Sequence, residues 1–246
     1  MHRRLNKNAK LDKKMVNSLI ASNFSTKFST HAYHFNLLQG SVNWLFGLNG
    51  SGKSTLLKTL AKLLPPQQGQ LLYGQVILSE LPNYQLSKYV AFCSTEVHRP
   101  LFMTVQQYLL TALYPQNMGI KVQASQLEQL YELADGLKIT SFLNRNLSEL
   151  SDGEHKKVTI ARTLFQQTPI LLFDEPMTHL DPIQKTETMQ FLCEYLTQNH
   201  KIALISSHDL ELSIQFSPNA LIIDHQGQLL QKNISSVAQI YQYFTA

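Results

Sequence analysis

Cysteine and charge are scarce in this chain, and no apolar stretch in it is long. The two cysteines, Cys93 and Cys193, have no metal-ligand spacing and fit a reducing cytosol. Charged residues make up 15% of the 246 positions, with a formal net charge of +4. Part of the positive excess lies in residues 1–14, MHRRLNKNAKLDKK. That segment reads as a solvated, frayed tail, with contact to anionic lipid or nucleic acid as the alternative. No apolar core follows its charges, so the pattern is not that of a signal peptide. No apolar run approaches the roughly 18 residues that span a bilayer. Repeats and low-complexity segments are missing as well. What remains is ordinary: 43% hydrophobic residues, enough for one α/β domain with an elaboration, or for two small domains.

The most informative stretch is 47–55, Gly-Leu-Asn-Gly-Ser-Gly-Lys-Ser-Thr. It fits G-x-x-x-x-G-K-[ST], the P-loop, with Gly47, Gly52, Lys53 and Ser54 at the fixed places. Residues 42–46 before it read as a buried strand, and 55–61 after it read as a helix. The motif counts only in that strand–loop–helix context. Glycines let successive backbone N–H groups turn toward one anion, and the helix N-terminus adds partial positive charge. A nucleotide pyrophosphate is therefore expected against Asn49, Gly50, Ser51, Gly52, Lys53, Ser54 and Thr55. Lys53 is expected to reach the β- and γ-phosphates, and the Ser54 hydroxyl to ligate Mg²⁺.

Four apolar stretches read as buried strands: 42–46, Val90–Cys93, Ile170–Phe173 and Ile202–Ser206. Separated by helical patterns, they predict a parallel sheet covered on both faces. Residues 70–74 follow Pro65-Pro66 and Gly69 and predict an antiparallel strand. Residues 220–224 and 228–231 flank His225-Gln226-Gly227 and predict a hairpin. Residues 103–147 show no strand pattern. Helical periodicity covers 105–113 and 125–137, with Tyr114-Pro115 as a break. The reading is a nucleotide-binding α/β core over 15–246 with a helical insert at about 98–165.

Three further segments carry chemistry. Asp174 and Glu175 end the strand Ile170–Phe173, where ligands meet the edge of a parallel sheet. Asp174 suits Mg²⁺ held through its water shell, and Glu175 suits polarising an attacking water. Leu150-Ser151-Asp152-Gly153-Glu154 precedes a helical run. Locally Ser151-x-x-Glu154 is a capping box, and a capped N-terminus still offers free N–H groups to a phosphate. His208 follows the strand Ile202–Ser206 and is placed to contact a γ-phosphate.

These elements occur in the order and rough spacing of the ABC-transporter ATPase domain, which the chain resembles over nearly its whole length. Residues 47–55 resemble Walker A, 150–154 the signature LSGGQ, and 170–175 Walker B. Residues 178–181 resemble the D-loop, and His208 the switch histidine. Residues 23–28 are similar to the start of such domains, which implies Phe28, or its rival Phe24, as the aromatic stacked on adenine. The resemblance implies an α/β fold with a P-loop NTPase (RecA-like) core, a small antiparallel β portion and a helical insert subdomain. It also implies a head-to-tail homodimer around two ATP molecules. Ser151 and Gly153 of one copy would complete the γ-phosphate site built on Lys53, Asp174, Glu175 and His208 of the other. Hydrolysis would drive transmembrane permease subunits from the cytoplasmic face of the inner membrane, with a periplasmic binding protein involved indirectly. No nucleic-acid partner is expected.

Two positions depart from the family pattern. Where Gln is usual after the second core strand, the chain has Thr95, followed by Glu96. That makes Thr95 the candidate oxygen donor to Mg²⁺. The signature carries Asp152 where Gly is usual, and its carboxylate must point away from the phosphates. The Ser-Thr-Glu segment, the 150–162 stretch and Ser-His-Asp-Leu-Glu-Leu together resemble the ATPases of iron-chelate importers (siderophore, haem, cobalamin). The alternatives are the ATPase of a haem exporter or metal-ion importer, or a soluble ABC ATPase.

Overall fold

A computed structural model describes residues 18–96, 99–117 and 122–245. The basic segment 1–14 lies outside these residues, as does position 98, where the insert is expected to begin. Ten strands occur among the described residues: β1 (Ser18–Ser25), β2 (Tyr33–Leu38), β3 (Val42–Gly47), β4 (Gln68–Tyr73), β5 (Val76–Ile77), β6 (Val90–Cys93), β7 (Ile170–Phe173), β8 (Ile202–Ser206), β9 (Asn219–Ile223) and β10 (Leu229–Asn233). They form a four-stranded sheet in the order β2-β1-β4-β5 and a six-stranded sheet in the order β10-β9-β3-β8-β7-β6.

The six-stranded sheet holds the four expected parallel strands. Residues of β3, β7 and β8 are buried on both faces, as near-continuous apolar runs predict for a covered parallel sheet. Alternate residues point to opposite sides. Trp44, Phe46, Phe173 and Ile205 enter one core with the helical portion. Leu45, Leu172 and Leu204 enter a second core with the four-stranded sheet and the helix Lys53–Leu60. The expected hairpin is present as β9 and β10, paired antiparallel. β9 also pairs parallel with β3, a fifth parallel strand that the hairpin signal concealed. Its residues 220–223 are fully buried, so it fits inside a sheet rather than at its rim.

The expected strand at 70–74 is β4, antiparallel to β1. β1 and β2 complete this sheet. β2 shows the period-2 pattern of a half-buried strand, with Tyr33, Phe35 and Leu37 buried. At Gly69 (φ +91°) a Cβ would lie 2.2 Å from Asn23 O, so only glycine fits that close approach.

Between Cys93 and Ile170 the described residues contain no strand, only an isolated bridge between Thr104 and Asn146. The helices there are Val105–Leu110, Tyr114–Asn117, Ala124–Gly136 and Asp152–Phe165. Tyr114-Pro115 starts a short helix rather than breaking one, since proline in a first turn removes an N–H that has no partner anyway. The helix Asp152–Phe165 buries Val158, Ile160, Ala161, Leu164 and Phe165. Among the described residues no helix is long and apolar enough to cross a membrane.

Candidate active site

The sheet order puts β8 between β3 and β7, so the C-terminal ends of all three lie side by side. Leu45 of β3 is in register with Ser206, and Phe173 of β7 with Ile205. The P-loop, Asp174-Glu175 and Ser206–His208 therefore converge at one edge.

At the P-loop, Gly50 (φ +79°) and Gly52 (φ +99°) adopt left-handed conformations, and a Cβ on either would meet nothing within 4 Å. The loop thus encloses open space behind a backbone that only glycine adopts easily. Gly52 caps the helix Lys53–Leu60 without a side-chain acceptor, which leaves the first-turn N–H groups for a ligand. Ser51 Oγ is buried and has no hydrogen-bond partner. Asn49 and Gly50 are exposed, and Thr55 is half-buried. Lys53 is buried and donates to Gly47 O (2.9 Å) and Leu48 O (3.2 Å). Burial lowers its pKa, offset in part by Glu175 and Asp174.

Asp174 is 2% exposed. Its Oδ1 accepts from Ser54 Oγ (3.0 Å) and Ser206 Oγ (2.8 Å). Its carbonyl accepts from Thr95 Oγ1 at 3.1 Å. Thr95 therefore stands beside Asp174 with its proton given to the backbone and its lone pairs remaining. Ser206 Oγ also accepts from Glu175 N (2.9 Å), so one hydroxyl fixes both acidic residues. Sequence reasoning missed Ser206, because a serine at a strand end has no signature until β8 is known to be central.

Glu175 has φ +48°, a conformation that strains any residue but glycine and is typical of functional sites. Its Oε1 lies 3.2 Å from His208 Nε2, yet that buried oxygen has no hydrogen-bond partner. The contact is a close approach that falls outside hydrogen-bonding geometry. Burial raises the Glu175 pKa, opposed by His208 and Lys53.

Ser151 and Gly153 lie elsewhere. They line an open cleft of about 560 Å³ with Asp152, Glu154, His179, Asp181 and Gln184, and no P-loop residue borders it. The capping box is formed: Ser151 Oγ accepts from Glu154 N (3.3 Å), and Ser151 N donates to Glu154 Oε2 (2.8 Å). Asp152 is paired with Arg99. Of the two aromatic candidates, Phe24 is 1% exposed and unable to stack on a ligand, whereas Phe28 is 71% exposed.

A P-loop strand and an acid-bearing strand flanking one central strand define a P-loop NTPase. The family model described as ABC transporter matches residues 30–178, more than half of the sequence, and the chain belongs to that family; it is an ABC ATPase. The chain is 31% identical over 186 residues to the petrobactin import ATP-binding protein of Bacillus anthracis, covering 75% of this chain and 68% of that one. It is 28% identical over 221 residues to the hemin import ATP-binding protein of Shewanella denitrificans, covering 83% and 84%. Its fold is similar to a dimeric, post-hydrolysis ATP-binding cassette bound to ADP and Pi, with a TM-score of 0.76 at 20% identity, covering 89% and 99%.

Proposed function

We propose that this chain powers import of an iron chelate, haem or cobalamin across the inner membrane, as a head-to-tail pair docked on the cytoplasmic face of a separately encoded permease. A periplasmic binding protein would deliver the cargo. Relatives described as siderophore transport, petrobactin import and hemin import ATP-binding proteins support that cargo class. The observation that carries the catalytic part is the Asp174 carboxylate shared by Ser54 and Ser206, with Glu175 and His208 beside it.

In this reading the P-loop N–H groups and Lys53 hold the β- and γ-phosphates of ATP. Ser54 Oγ and Asp174 Oδ1, hard oxygen donors already in contact, fit Mg²⁺, with Thr95 as a third oxygen. When bound, that ion neutralises charge on the transferred phosphoryl group. Glu175, a carboxylate of raised basicity, accepts the proton of the attacking water. His208 donates to the γ-phosphate in the same reading. Ser151 and Gly153 of the second copy close the site, and the exposed ring of Phe28 stacks on adenine. The separation of the Ser151 cleft from the P-loop within one chain supports a site completed in trans.

The test of the cargo is isolation of the membrane partner by co-purification, followed by reconstitution in vesicles. Hydrolysis stimulated by a binding protein loaded with ferric chelate or haem is the expected result. Stimulation only by an unrelated cargo would overturn the iron-chelate reading.

A further inference from the structure

The cleft that carries Ser151 and Gly153 has an electrostatic problem. It is lined by three carboxylates, Asp152, Glu154 and Asp181, and, among the described residues, by no lysine or arginine. Two of them are occupied locally. Glu154 folds back on Ser151 N (2.8 Å) and pairs with Arg145 Nη1 (3.2 Å). Asp181 caps the helix Pro182–Gln198, accepting from Gln184 N at 2.9 Å. Asp152 sits on the first turn of its helix, beside the proposed phosphate-contacting groups, and is more than half exposed. Among the described residues its cationic partner is Arg99, 53 residues away in sequence.

The bland reading is a surface ion pair, and such pairs contribute roughly 0–1 kcal/mol to folding. That reading leaves two observations unused. Arg99 Nε is buried without a hydrogen-bond partner, so the guanidinium carries a desolvation cost that an ordinary surface pair does not offset. The carboxylate also stands on the surface where the closed pair would bring a triphosphate. Closure excludes water, and a bare carboxylate that is screened in the open state then repels the phosphates at low effective dielectric.

We propose that Arg99 is the counter-ion that lets this signature turn receive the partner copy's triphosphate despite Asp152. The proposal rests on the head-to-tail reading above. Arg99 acts through Asp152 and is a positioning residue of the composite site. Its effect is felt in the closed state and not in the stability of the single chain.

The experiment measures ATP turnover of the full chain in Arg99→Gln, Arg99→Lys, Asp152→Gly and the double variant Arg99→Gln/Asp152→Gly. Titration with a fluorescent ATP analogue verifies that each monomer still binds nucleotide. Arg99→Gln keeps a polar amide donor on a shorter side chain and loses the charge, and its turnover should fall on the order of tenfold. Arg99→Lys should keep most of the activity. In the double variant, turnover should return to that of Asp152→Gly alone, since the arginine is dispensable once the carboxylate is gone. Wild-type turnover in Arg99→Gln, or a double variant as impaired as Arg99→Gln, would overturn the proposal. Ser151→Ala is run alongside. Full turnover there would bring down the head-to-tail reading itself, whereas an inactive Ser151→Ala beside an active Arg99→Gln would overturn only the role of Arg99.

Discussion

Glu175 is held in a position that opposes its own ionisation. Burial keeps its pKa above the ordinary 4.5, so the folded chain binds this proton more tightly than the unfolded chain does. The resulting penalty on stability is fully present above the raised pKa and disappears as pH falls below the unfolded value. Glu175→Gln should therefore melt a few °C above the wild type near pH 8, at about 2–4 °C per kcal/mol for a chain of this size, with the gap closing toward about pH 4. Thermal melts of both proteins without nucleotide across that range decide it; a gap constant with pH would remove ionisation as the cause. The same shift bears on turnover, since Glu175 as the proposed base works only when deprotonated. The acid limb of hydrolysis should lie above the ordinary glutamate range. Lys53→Ala should lower hydrolysis on the order of a hundredfold or more while the fold persists, because the strand and helix on either side of the loop are held by Leu45, Leu56, Leu57 and Leu60. Unchanged turnover in the purified variant would sink the phosphate-binding role.

Ser151 does two jobs at the start of the helix Asp152–Phe165, and its variants must separate them. Ser151→Ala loses the cap, worth about 1 kcal/mol, together with the hydroxyl proposed to reach the partner's nucleotide. It should melt a few °C lower, lose most of its hydrolysis and keep ATP binding in the monomer. Ser151→Thr keeps a capping hydroxyl and should restore the melting temperature. Collapse of monomer ATP binding in Ser151→Ala would reduce the turn to a structural cap. Gly153 is a poorer probe, because a Cβ there would lie 2.9 Å from His179 O and press on the loop at 178–181 before any phosphate is involved. At this scale the sequence was readable wherever one signal dominated. Central strands announced themselves as unbroken apolar runs, and the capping box by its spacing. β9 looked like half of a hairpin, since pairing on its other edge depends on β3, some 175 residues earlier, which no local pattern reports. Tyr33, Phe35 and Leu37 carried a period-2 signal for β2, but polar neighbours and a short run kept it weak.

In the whole molecule, the P-loop, Asp174, Glu175, Thr95 and His208 come together from four separate strand ends. Their ordered motifs made that convergence legible in the sequence. Ser206 was not legible, because its role exists only through the position of β8. Arg99 was not legible either: Asp152 read only as a carboxylate that must point away from the phosphates, and its pairing with a residue 53 positions earlier has no local signal. Ser151 and Gly153 border a different cleft from the P-loop, so the central claim is that the working site spans two copies. Mixing two crippled variants before adding ATP-Mg²⁺ tests it most directly. Glu175→Gln supplies an intact signature and a dead base, and Ser151→Ala supplies an intact base and a dead signature. A head-to-tail mixed pair contains one intact site of two, and random mixing makes half of the pairs mixed, so turnover should rise to about a quarter of wild type. Turnover no greater than the sum of the two variants measured apart would contradict a site completed in trans.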